Sequence, residues 1–290
     1  MKYICALVAL LLVSCAPPAV RDPAPHPLTP AAALLDCARV EDVTLVSAHR
    51  GGPADGVPDN SLAALRRSAA LGAAFAEIDL RWTRDGEIVL MHDDTLERTT
   101  TGQGRVADHT LAELQTLQLR DGRGRTTGET VPSLQDAFAV SVETGILLQL
   151  DPKTLRPSDA ARAAQAAGMV DRVVIITSSE AGAHAIQAVS RDIAISVPIQ
   201  TEMDLMNSDL HLDGLVSWLS SGVPGGRIEA ALTGLGIESS AHDFSAEARG
   251  QMNYADYDRA HVEVLAVDNV VAATRILGRA GDHCPASPQG

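Results

Sequence analysis

The chain has 290 residues, of which 46% are hydrophobic and 3% aromatic. A chain of this length can bury a substantial core, and its composition is that of a globular protein. Lys and Arg together number 23 and Asp and Glu 37, so the formal net charge is −14 at pH 7. This charge disfavours DNA, RNA and anionic lipid surfaces as main partners, because each of them would be repelled.

The first 14 residues have the pattern of a secretory signal peptide. A positive start, Met1-Lys2, precedes an apolar run over residues 3–13, which is shorter than the roughly 20 residues of a membrane span. The run ends in Leu12-Val13-Ser14-Cys15, which resembles the lipobox of bacterial lipoproteins. The resemblance implies cleavage before Cys15 and lipidation of its thiol, which would anchor the protein without spanning the membrane. The alternative is an ordinary cleaved signal with an incidental cysteine.

The residues after Cys15 form a proline-rich linker. Six of the 15 prolines fall within residues 16–30, and such a stretch favours an extended, semi-stiff spacer. Ala16 rather than Asp follows Cys15, which favours the outer membrane facing the periplasm as the location; without lipid the protein would be periplasmic or secreted. We therefore divide the chain into a signal peptide (1–14), a lipidated linker (15–30) and one globular domain (31–290).

From residue 43 onward, apolar runs alternate with helical stretches. Thr29-Pro30 marks a helix start before the first run, and further cap signals lie at Ser61, Thr110, Ser133 and Ser158. Eight strands are predicted, over residues 43–48, 75–80, 88–91, 146–150, 173–176, 193–199, 236–239 and 262–267. Alternating strands and helices indicate a parallel sheet, and about eight strands in about 250 residues favour a (β/α)₈ TIM barrel. A doubly wound open sheet is the alternative, but no Gly-x-Gly-x-x-Gly follows the first strand.

The first four predicted strands end in charged or imidazole side chains. They finish in His49-Arg50, in Glu77-x-Asp79, in His92-Asp93 and in Asp151-Pro152-Lys153. In a parallel barrel these ends would meet at one mouth, where active sites are built. Residues two apart lie on the same face of a strand. Glu77 and Asp79 therefore share one face of their strand, and Asp151 and Lys153 share one face of theirs.

Three carboxylates at one mouth predict a cation site. Glu77, Asp79 and Asp151 would repel one another if no positive ion lay between them. Oxygen ligands select a hard divalent ion, Ca²⁺ or Mg²⁺, and no Cys/His group has zinc spacing. We expect core or surface roles for His109, His184, His211 and His261, and we do not favour His242 as part of the mouth.

Several further motifs occur in a fixed order along residues 45–153. They are His49-Arg50-Gly51, Pro58-Asp59-Asn60-Ser61, Glu77-x-Asp79, Asp85-Gly86, His92-Asp93, Leu96-x-Arg98-Thr99-Thr100, Gly102-x-Gly104 and Val131-Pro132-Ser133-Leu134. In this order they resemble the glycerophosphodiester phosphodiesterase family, whose fold is a TIM barrel. The resemblance implies metal-dependent hydrolysis of glycerophosphodiesters to an alcohol and sn-glycerol 3-phosphate.

Carried onto this sequence, the resemblance also implies site roles. Glu77, Asp79 and Asp151 would hold one Ca²⁺ or Mg²⁺ ion. His49 and His92 would act as general acid and base, in an order that the sequence does not assign, and Arg50 and Lys153 would lie near the phosphate. These roles suit the reaction, because a phosphodiester needs its charge neutralised, its nucleophile deprotonated and its leaving group protonated.

The sequence departs from the family pattern in places. Asp59 and Ser61 replace the usual Glu and Thr, and Asp151 stands where Glu is commoner. Leu265-Ala266-Val267-Asp268 occupies the place of Trp-Thr-Val-Asn, and the closing Gly-x-Asp-Gly-Ile-x-Thr-Asp segment is missing. We therefore expect a short or irregular last strand. There are two alternative functions. The protein would be a lysophospholipase D or sphingomyelinase D-like enzyme, or a non-catalytic lipoprotein that binds the envelope.

Cysteine counting predicts a disulfide. Cys5 would leave with the signal peptide and Cys15 would carry lipid, so Cys37 and Cys284 remain as a pair in an oxidising compartment. A closed barrel brings its first and last elements together, which would allow these two residues to bond. Two buried thiols are the alternative.

Overall fold

The computed structural model describes residues 28–284. The predicted signal peptide, Cys15 and nearly all of the linker lie outside the described residues. Within residues 28–284 no helix is both long enough and apolar enough to cross a bilayer.

The described chain alternates strands and helices. The strands are β1 Leu45–Ala48, β2 Phe75–Trp82, β3 Ile88–Leu90, β4 Gln118–Arg120, β5 Thr126–Thr130, β6 Leu147–Pro152, β7 Val173–Ile176, β8 Ala194–Val197, β9 Leu215–Ser221, β10 Glu238–His242 and β11 Val264–Val267. The helices are α1 Pro30–Glu41, α2 Leu62–Leu71, α3 Leu111–Leu114, α4 Leu134–Thr144, α5 Pro157–Ala166, α6 Glu180–Gln187, α7 Glu202–Asn207, α8 Gly226–Thr233, α9 Phe244–Ala248, α10 Tyr254–Asp258, α11 Val270–Leu277 and α12 Ala280–His283. Short 3₁₀ turns cover His49–Gly51 and Val106–Asp108.

Eight of these strands close into a parallel barrel, which confirms the TIM-barrel prediction. The barrel order is β1-β2-β6-β7-β8-β9-β10-β11, and β11 returns to pair with β1. β11 is short but pairs in regular register on both sides, so the expected irregularity of the last strand is not found there. The register shift lies one strand earlier, between β9 and β10.

Two strand predictions were wrong. Residues 88–91 are not a barrel strand, because β3 pairs antiparallel with the far end of β2. Only five residues separate β2 from β3, which suffices for a hairpin, whereas a parallel crossover needs about a dozen or more. The missed barrel strand is β9, in which Ser217 interrupts the apolar run and two serines end it.

Most predicted helix starts are confirmed by their caps. The side chains of Thr29, Ser61 and Ser133 accept hydrogen bonds from the first turns of α1, α2 and α4, and Thr110 with Glu113 forms the capping box of α3. The exception is α5, which begins at Pro157 instead of after Ser158, because proline is well suited to the first helical position.

Helix α1 closes the end of the barrel at which the strands begin. Its buried residues Ala31, Leu35 and Ala38 pack in one cluster with the strand starts Leu45, Ala74, Phe75, Leu147, Val174, Ala194, Val216 and Val264. The main apolar core, by contrast, lies between the sheet and the outer helices. We call the end covered by α1 the closed end; the carboxyl ends of the strands form the mouth.

A disulfide joins the two ends of the described chain at the closed end. Cys37 on α1 is bonded to Cys284, with a Cα–Cα distance of 5.9 Å and 247 residues between them in sequence. The bond fastens the closing helix to the segment that follows α12.

We expect the Cys37→Ser, Cys284→Ser double variant to unfold more easily. A bond that closes so long a loop restricts the unfolded chain, and its loss costs about 2–5 kcal/mol of unfolding free energy. Urea denaturation of oxidised protein and double variant measures the difference. Equal midpoints, or a native mass that does not rise by two hydrogens on reduction, would contradict the expectation.

Three buried glutamates also lie at the closed end. Glu238 accepts a hydrogen bond from Arg39 Nε at 3.0 Å, and Glu263 accepts one from the Ser239 amide at 2.6 Å. Glu229 is 2% exposed, and neither of its carboxylate oxygens has a hydrogen-bond partner among the described residues. Burial and the neighbouring Glu263 raise the pKa of Glu229 to about 8, and burial raises that of Glu238 to about 7.

Stability should therefore fall as the pH rises. The pKa of Glu229 in the folded protein lies above the ordinary value of 4.5, so its contribution is complete below that pH and is lost as the pH rises through about 8. We expect Glu229→Gln to reduce the loss of unfolding free energy between pH 5 and pH 8.5 by roughly 2–4 kcal/mol. Urea denaturation at both pH values measures this, with exposed Glu41→Gln as the control. An unchanged pH dependence in Glu229→Gln would refute the assignment.

Candidate active site

The chain turns sharply at the end of β1. Ala48 ends the strand, and His49, Arg50 and Gly51 form a 3₁₀ turn in which Arg50 has a left-handed backbone with φ of 50°. The Arg50 amide donates to Glu77 Oε2 at 2.8 Å, and its carbonyl accepts from the Asn60 amide at 2.8 Å. These two bonds hold the turn against β2 and the loop that precedes α2.

The carboxylates of β2 point into the mouth, as expected from their spacing. Glu77 is 6% exposed and Asp79 is fully buried. Asp79 is held by Asn60, whose side-chain amide donates to Asp79 Oδ2 at 2.7 Å and whose Oδ1 accepts from the Asp79 amide at 3.0 Å. This pairing fixes the carboxylate before any ligand arrives.

Strand β6 brings the third acid and a lysine alongside. Asp151 is the register partner of Asp79, and Lys153 Nζ lies 2.5 Å from Asp151 Oδ2 and 3.0 Å from Asp79 Oδ1. Glu77, Asp79 and Asp151 each offer an oxygen within 4.8 Å of the others. The structure thus brings together the three acids and Lys153 at one place.

This cluster carries an excess of negative charge. Burial raises the pKa of Glu77 well above its usual value, and the charges of Asp79 and Asp151 raise it further. Burial lowers the pKa of Lys153, but the two aspartates outweigh that effect and the net direction is upward. Lys153 and the Arg50 guanidinium, whose Nε lies 4.0 Å from Asp79 Oδ2, carry two positive charges against three carboxylates, so the group is chemically suited to a divalent cation.

His92 reaches the mouth from the opposite direction to His49. β1 runs along one edge of β2 and ends where Ala48 meets Ala76, while β3 runs back along the same edge until the Met91 amide donates to the Asp79 carbonyl at 2.9 Å. Ala76 and Asp79 are three positions apart along β2, which corresponds to about 10 Å. Although β3 is not a barrel strand, it therefore delivers His92 to the level of the carboxylates.

A chain of alternating charges links His92 to Arg50. His92 Nδ1 lies 2.8 Å from Asp93 Oδ1, and Arg98 Nε donates to Asp93 Oδ2 at 2.5 Å. Arg98 also contacts Asp59 Oδ2 at 3.4 Å, and that oxygen is 3.6 Å from Arg50 Nη1. His92 and Arg50 consequently belong to one network.

The other side of the mouth surrounds His49. Its Nδ1 lies 2.8 Å from Asp268 Oδ1, and its ring stacks on Phe244 with centroids 4.0 Å apart. His242 lies 4.6 Å from Phe244 and within hydrogen-bond distance of Trp218 Nε1, at 3.4 Å. Burial lowers the pKa of His242, and so does the nearby His49. The prediction that His242 lies away from the mouth was therefore wrong.

Sequence reasoning missed other residues of the mouth. Asp268 directly follows β11, so the rule that selected His49 and Asp151 would have found it. No sequence pattern indicated that Phe244 belongs to the mouth, because an isolated aromatic residue is usually interpreted as part of the hydrophobic core. A second group of potential ligands lies exposed on and near α6 and contains none of the residues of the carboxylate cluster: Glu180, His184 and Asp209.

The chain is similar to known proteins in both sequence and fold. The profile of the glycerophosphoryl diester phosphodiesterase family matches residues 49–214. A glycerophosphodiester phosphodiesterase of Caldanaerobacter subterraneus is 39% identical over 112 residues, which cover 38% of this chain and 46% of that protein. Glycerophosphodiester phosphodiesterase 1 of Bos taurus is 41% identical over 109 residues, covering 37% of this chain and 33% of that protein. The chain thus matches less than half of the length of these curated relatives.

Solved structures share the fold at low sequence identity. The crystal structure of a glycerophosphoryl diester phosphodiesterase from Parabacteroides distasonis has a TM-score of 0.76 at 23% identity, covering 86% of this chain and 90% of that one. A phosphodiesterase from Oleispira antarctica, in complex with the product sn-glycerol-3-phosphate, has a TM-score of 0.64 at 19% identity, covering 84% and 99%.

The family match spans more than half of the chain and includes the carboxylate cluster, Lys153, His49 and His92. The chain belongs to the glycerophosphoryl diester phosphodiesterase family.

Proposed function

We propose that this protein hydrolyses glycerophosphodiesters to an alcohol and sn-glycerol 3-phosphate, with one Ca²⁺ or Mg²⁺ ion held by Glu77, Asp79 and Asp151. The observation that carries the proposal is the cluster of three carboxylates at the mouth of the barrel, with oxygens within 4.8 Å of one another. An acidic cluster with His49 and His92 at the same mouth, and with the positively charged side chains of Arg50 and Lys153 beside it, suits phosphodiester hydrolysis.

The carboxylate cluster fits a hard cation. Asp79 Oδ1 is buried and has no aligned hydrogen bond, although Lys153 Nζ lies 3.0 Å away. The ligands are all oxygens, which is the set that Ca²⁺ and Mg²⁺ prefer. When bound, such an ion supplies positive charge that stabilises the phosphoryl oxygens.

Two side chains are suited to the phosphate itself. Arg50 Nε is buried without a hydrogen-bond partner among residues 28–284 and lies 4.0 Å from Asp79 Oδ2. An unpartnered guanidinium donor beside a cation site favours binding of a phosphate oxygen, because the bond would satisfy that donor. Lys153 adds a second positive charge on the β6 side of the cluster.

The two histidines are suited to moving protons. In the proposed reaction one imidazole accepts the proton of the attacking hydroxyl or water, and the other donates a proton to the leaving alkoxide. Each has a carboxylate within hydrogen-bond distance of Nδ1: Asp268 for His49 and Asp93 for His92. Each therefore has Nε2 left for the substrate.

The substrate class is supported by relatives. Curated proteins from Caldanaerobacter and cattle that match part of this chain are glycerophosphodiester phosphodiesterases, and the Oleispira phosphodiesterase of similar fold was solved with sn-glycerol-3-phosphate. We extend this substrate class to the present chain as part of the proposal.

Activity should depend on both a metal ion and His49. We expect residues 16–290, stripped of metal and resupplied with Ca²⁺ or Mg²⁺, to release glycerol 3-phosphate from glycerophosphoethanolamine. His49→Ala should lower kcat by about 100-fold or more, because general acid–base catalysis typically contributes that much. A coupled glycerol 3-phosphate assay measures the release.

His92→Ala should have an effect of similar size, and His109→Ala, outside the mouth, is the control. Release of choline or another head group from a lysophospholipid, with none from glycerophosphodiesters, would instead indicate a lysophospholipase D-like enzyme. No turnover of either substrate by folded, metal-loaded protein would refute the proposal.

Cation binding should depend on the mouth cluster. Asp79→Asn removes a buried charge that Asn60 already positions, so we expect the affinity for Ca²⁺ or Mg²⁺ to fall at least about tenfold. Asp209→Asn, in the exposed group around His184, is the matched control and should bind as the wild type does. Isothermal titration calorimetry without substrate makes the comparison, and the opposite ranking of the two variants would contradict the assigned ligands.

A further inference from the structure

The closure of the barrel places Asp268 beside His49. β11 pairs in parallel register with β1, so that Val267 lies opposite Ala48. The next residue of each chain is therefore Asp268 on one side and His49 on the other. Their side chains meet, with Asp268 Oδ1 at 2.8 Å from His49 Nδ1.

Asp268 is itself held by Glu247 on α9. Glu247 Oε2 accepts a hydrogen bond from the Asp268 amide at 2.7 Å, and Oε1 accepts one from the Asn269 amide at 2.9 Å. The Tyr254 hydroxyl donates to Glu247 Oε1 at 2.7 Å. The carboxylate of Glu247 thus fixes the turn that carries Asp268.

The same short helix restrains the plane of the His49 ring. Phe244 is the first residue of α9, and its ring lies nearly parallel to the imidazole, at 18° and 4.0 Å between centroids. The helix starts immediately after β10 and is capped by Asp243, whose side chain accepts from the Ala246 amide at 2.9 Å. Phe244 and Glu247 are three residues apart and hence lie on one face of the helix.

His49 and His92 have different carboxylate partners. Asp93, beside His92, is shared with Arg98, which donates to it from Nε and Nη2 at 2.5 and 3.0 Å. Asp268 forms no ion pair with any Lys or Arg of the described segment, and His49 is its partner there. Its carboxylate, an acceptor of hydrogen bonds only, is thus directed to the imidazole.

We propose that Asp268 is a positioning residue for His49, supported by Glu247 and Phe244 of α9. Asp268 accepts a hydrogen bond from Nδ1–H and so fixes the tautomer in which Nε2 is the unprotonated nitrogen. Phe244 keeps the ring from rotating out of the mouth, and Glu247 keeps Asp268 in place. A histidine with a fixed tautomer can transfer a proton through Nε2 alone. The catalytic part of this inference rests on the proposed function. The part that concerns the His49 tautomer does not depend on it.

The test compares Asp268→Asn and Asp268→Ala with a matched control at the closed end. There His261 Nδ1 lies 2.7 Å from Asp42 Oδ1 in an exposed pair of the same kind. Asp42 has a left-handed backbone with φ of 54°, which asparagine tolerates well. Asp42→Asn therefore removes the same charge from a histidine outside the mouth.

Two readouts are measured on protein comprising residues 16–290, which includes every residue that the structure describes. Long-range ¹H–¹⁵N spectra of ¹⁵N-histidine protein near pH 8 report which ring nitrogen carries the proton, with His49→Gln identifying the signal. We expect His49 to be protonated at Nδ1 in wild type and in Asp42→Asn, and to lose that preference in both Asp268 variants. In the glycerol 3-phosphate assay we expect kcat to fall at least about tenfold in the Asp268 variants while KM changes less than about threefold.

The spectra decide the inference even if the protein proves inactive on these substrates. A wild-type His49 protonated at Nε2, or an Nδ1 proton that persists in Asp268→Ala, would overturn it. So would a rise in KM with unchanged kcat, because Asp268 would then bind substrate instead of orienting His49. If Asp268→Ala does not fold, as judged by circular dichroism, Asp268→Asn decides alone.

Discussion

The mutual repulsion of three carboxylates is the constraint around which the mouth is arranged. Glu77, Asp79 and Asp151 come from two adjacent strands whose register is set by the barrel, so they cannot move apart without opening β2 from β6. The surroundings compensate in part: Asn60 donates to Asp79, the Arg50 backbone donates to Glu77, and Lys153 lies against two of the acids. The left-handed turn at Arg50 brings its backbone amide to Glu77. The position of this turn also determines the position of His49, the residue before Arg50.

Much of this arrangement was predictable from sequence, because it follows from strand periodicity. Glu77 and Asp79 had to share a face once β2 was recognised, and parallel strands had to bring Asp151 to the same level. The identity of the barrel strands was harder. Residues 88–91 have the composition of a buried strand, but composition does not show whether a strand pairs parallel or antiparallel. The short connection from β2 is the feature that indicates a hairpin. β9 was missed because its serines lie among apolar residues, and Ser217 is buried only because its hydroxyl donates to the Ile199 carbonyl.

The half of the mouth formed late in the chain was the least predictable. The register between β9 and β10 and the start of α9 determine where three residues of the mouth lie: Trp218, His242 and Phe244. This register contains a shift that no local sequence pattern predicts. Asp268 follows the strand-end rule, but its meaning depends on β11 closing against β1. Contacts between the first and last strands join residues more than 200 positions apart; closure of the barrel predicts that the strands meet, but local sequence patterns do not specify which side chains meet there.

The closed end has an orientational consequence. The chain enters the described structure through α1, where the Ala31 amide donates to the Asp171 carbonyl just before β7, and it leaves after Cys284, bonded to the same helix. Both ends therefore emerge from the face opposite the carboxylates. A segment attached at residue 28 or at Cys284 is therefore joined to the domain on the side away from the proposed cation site.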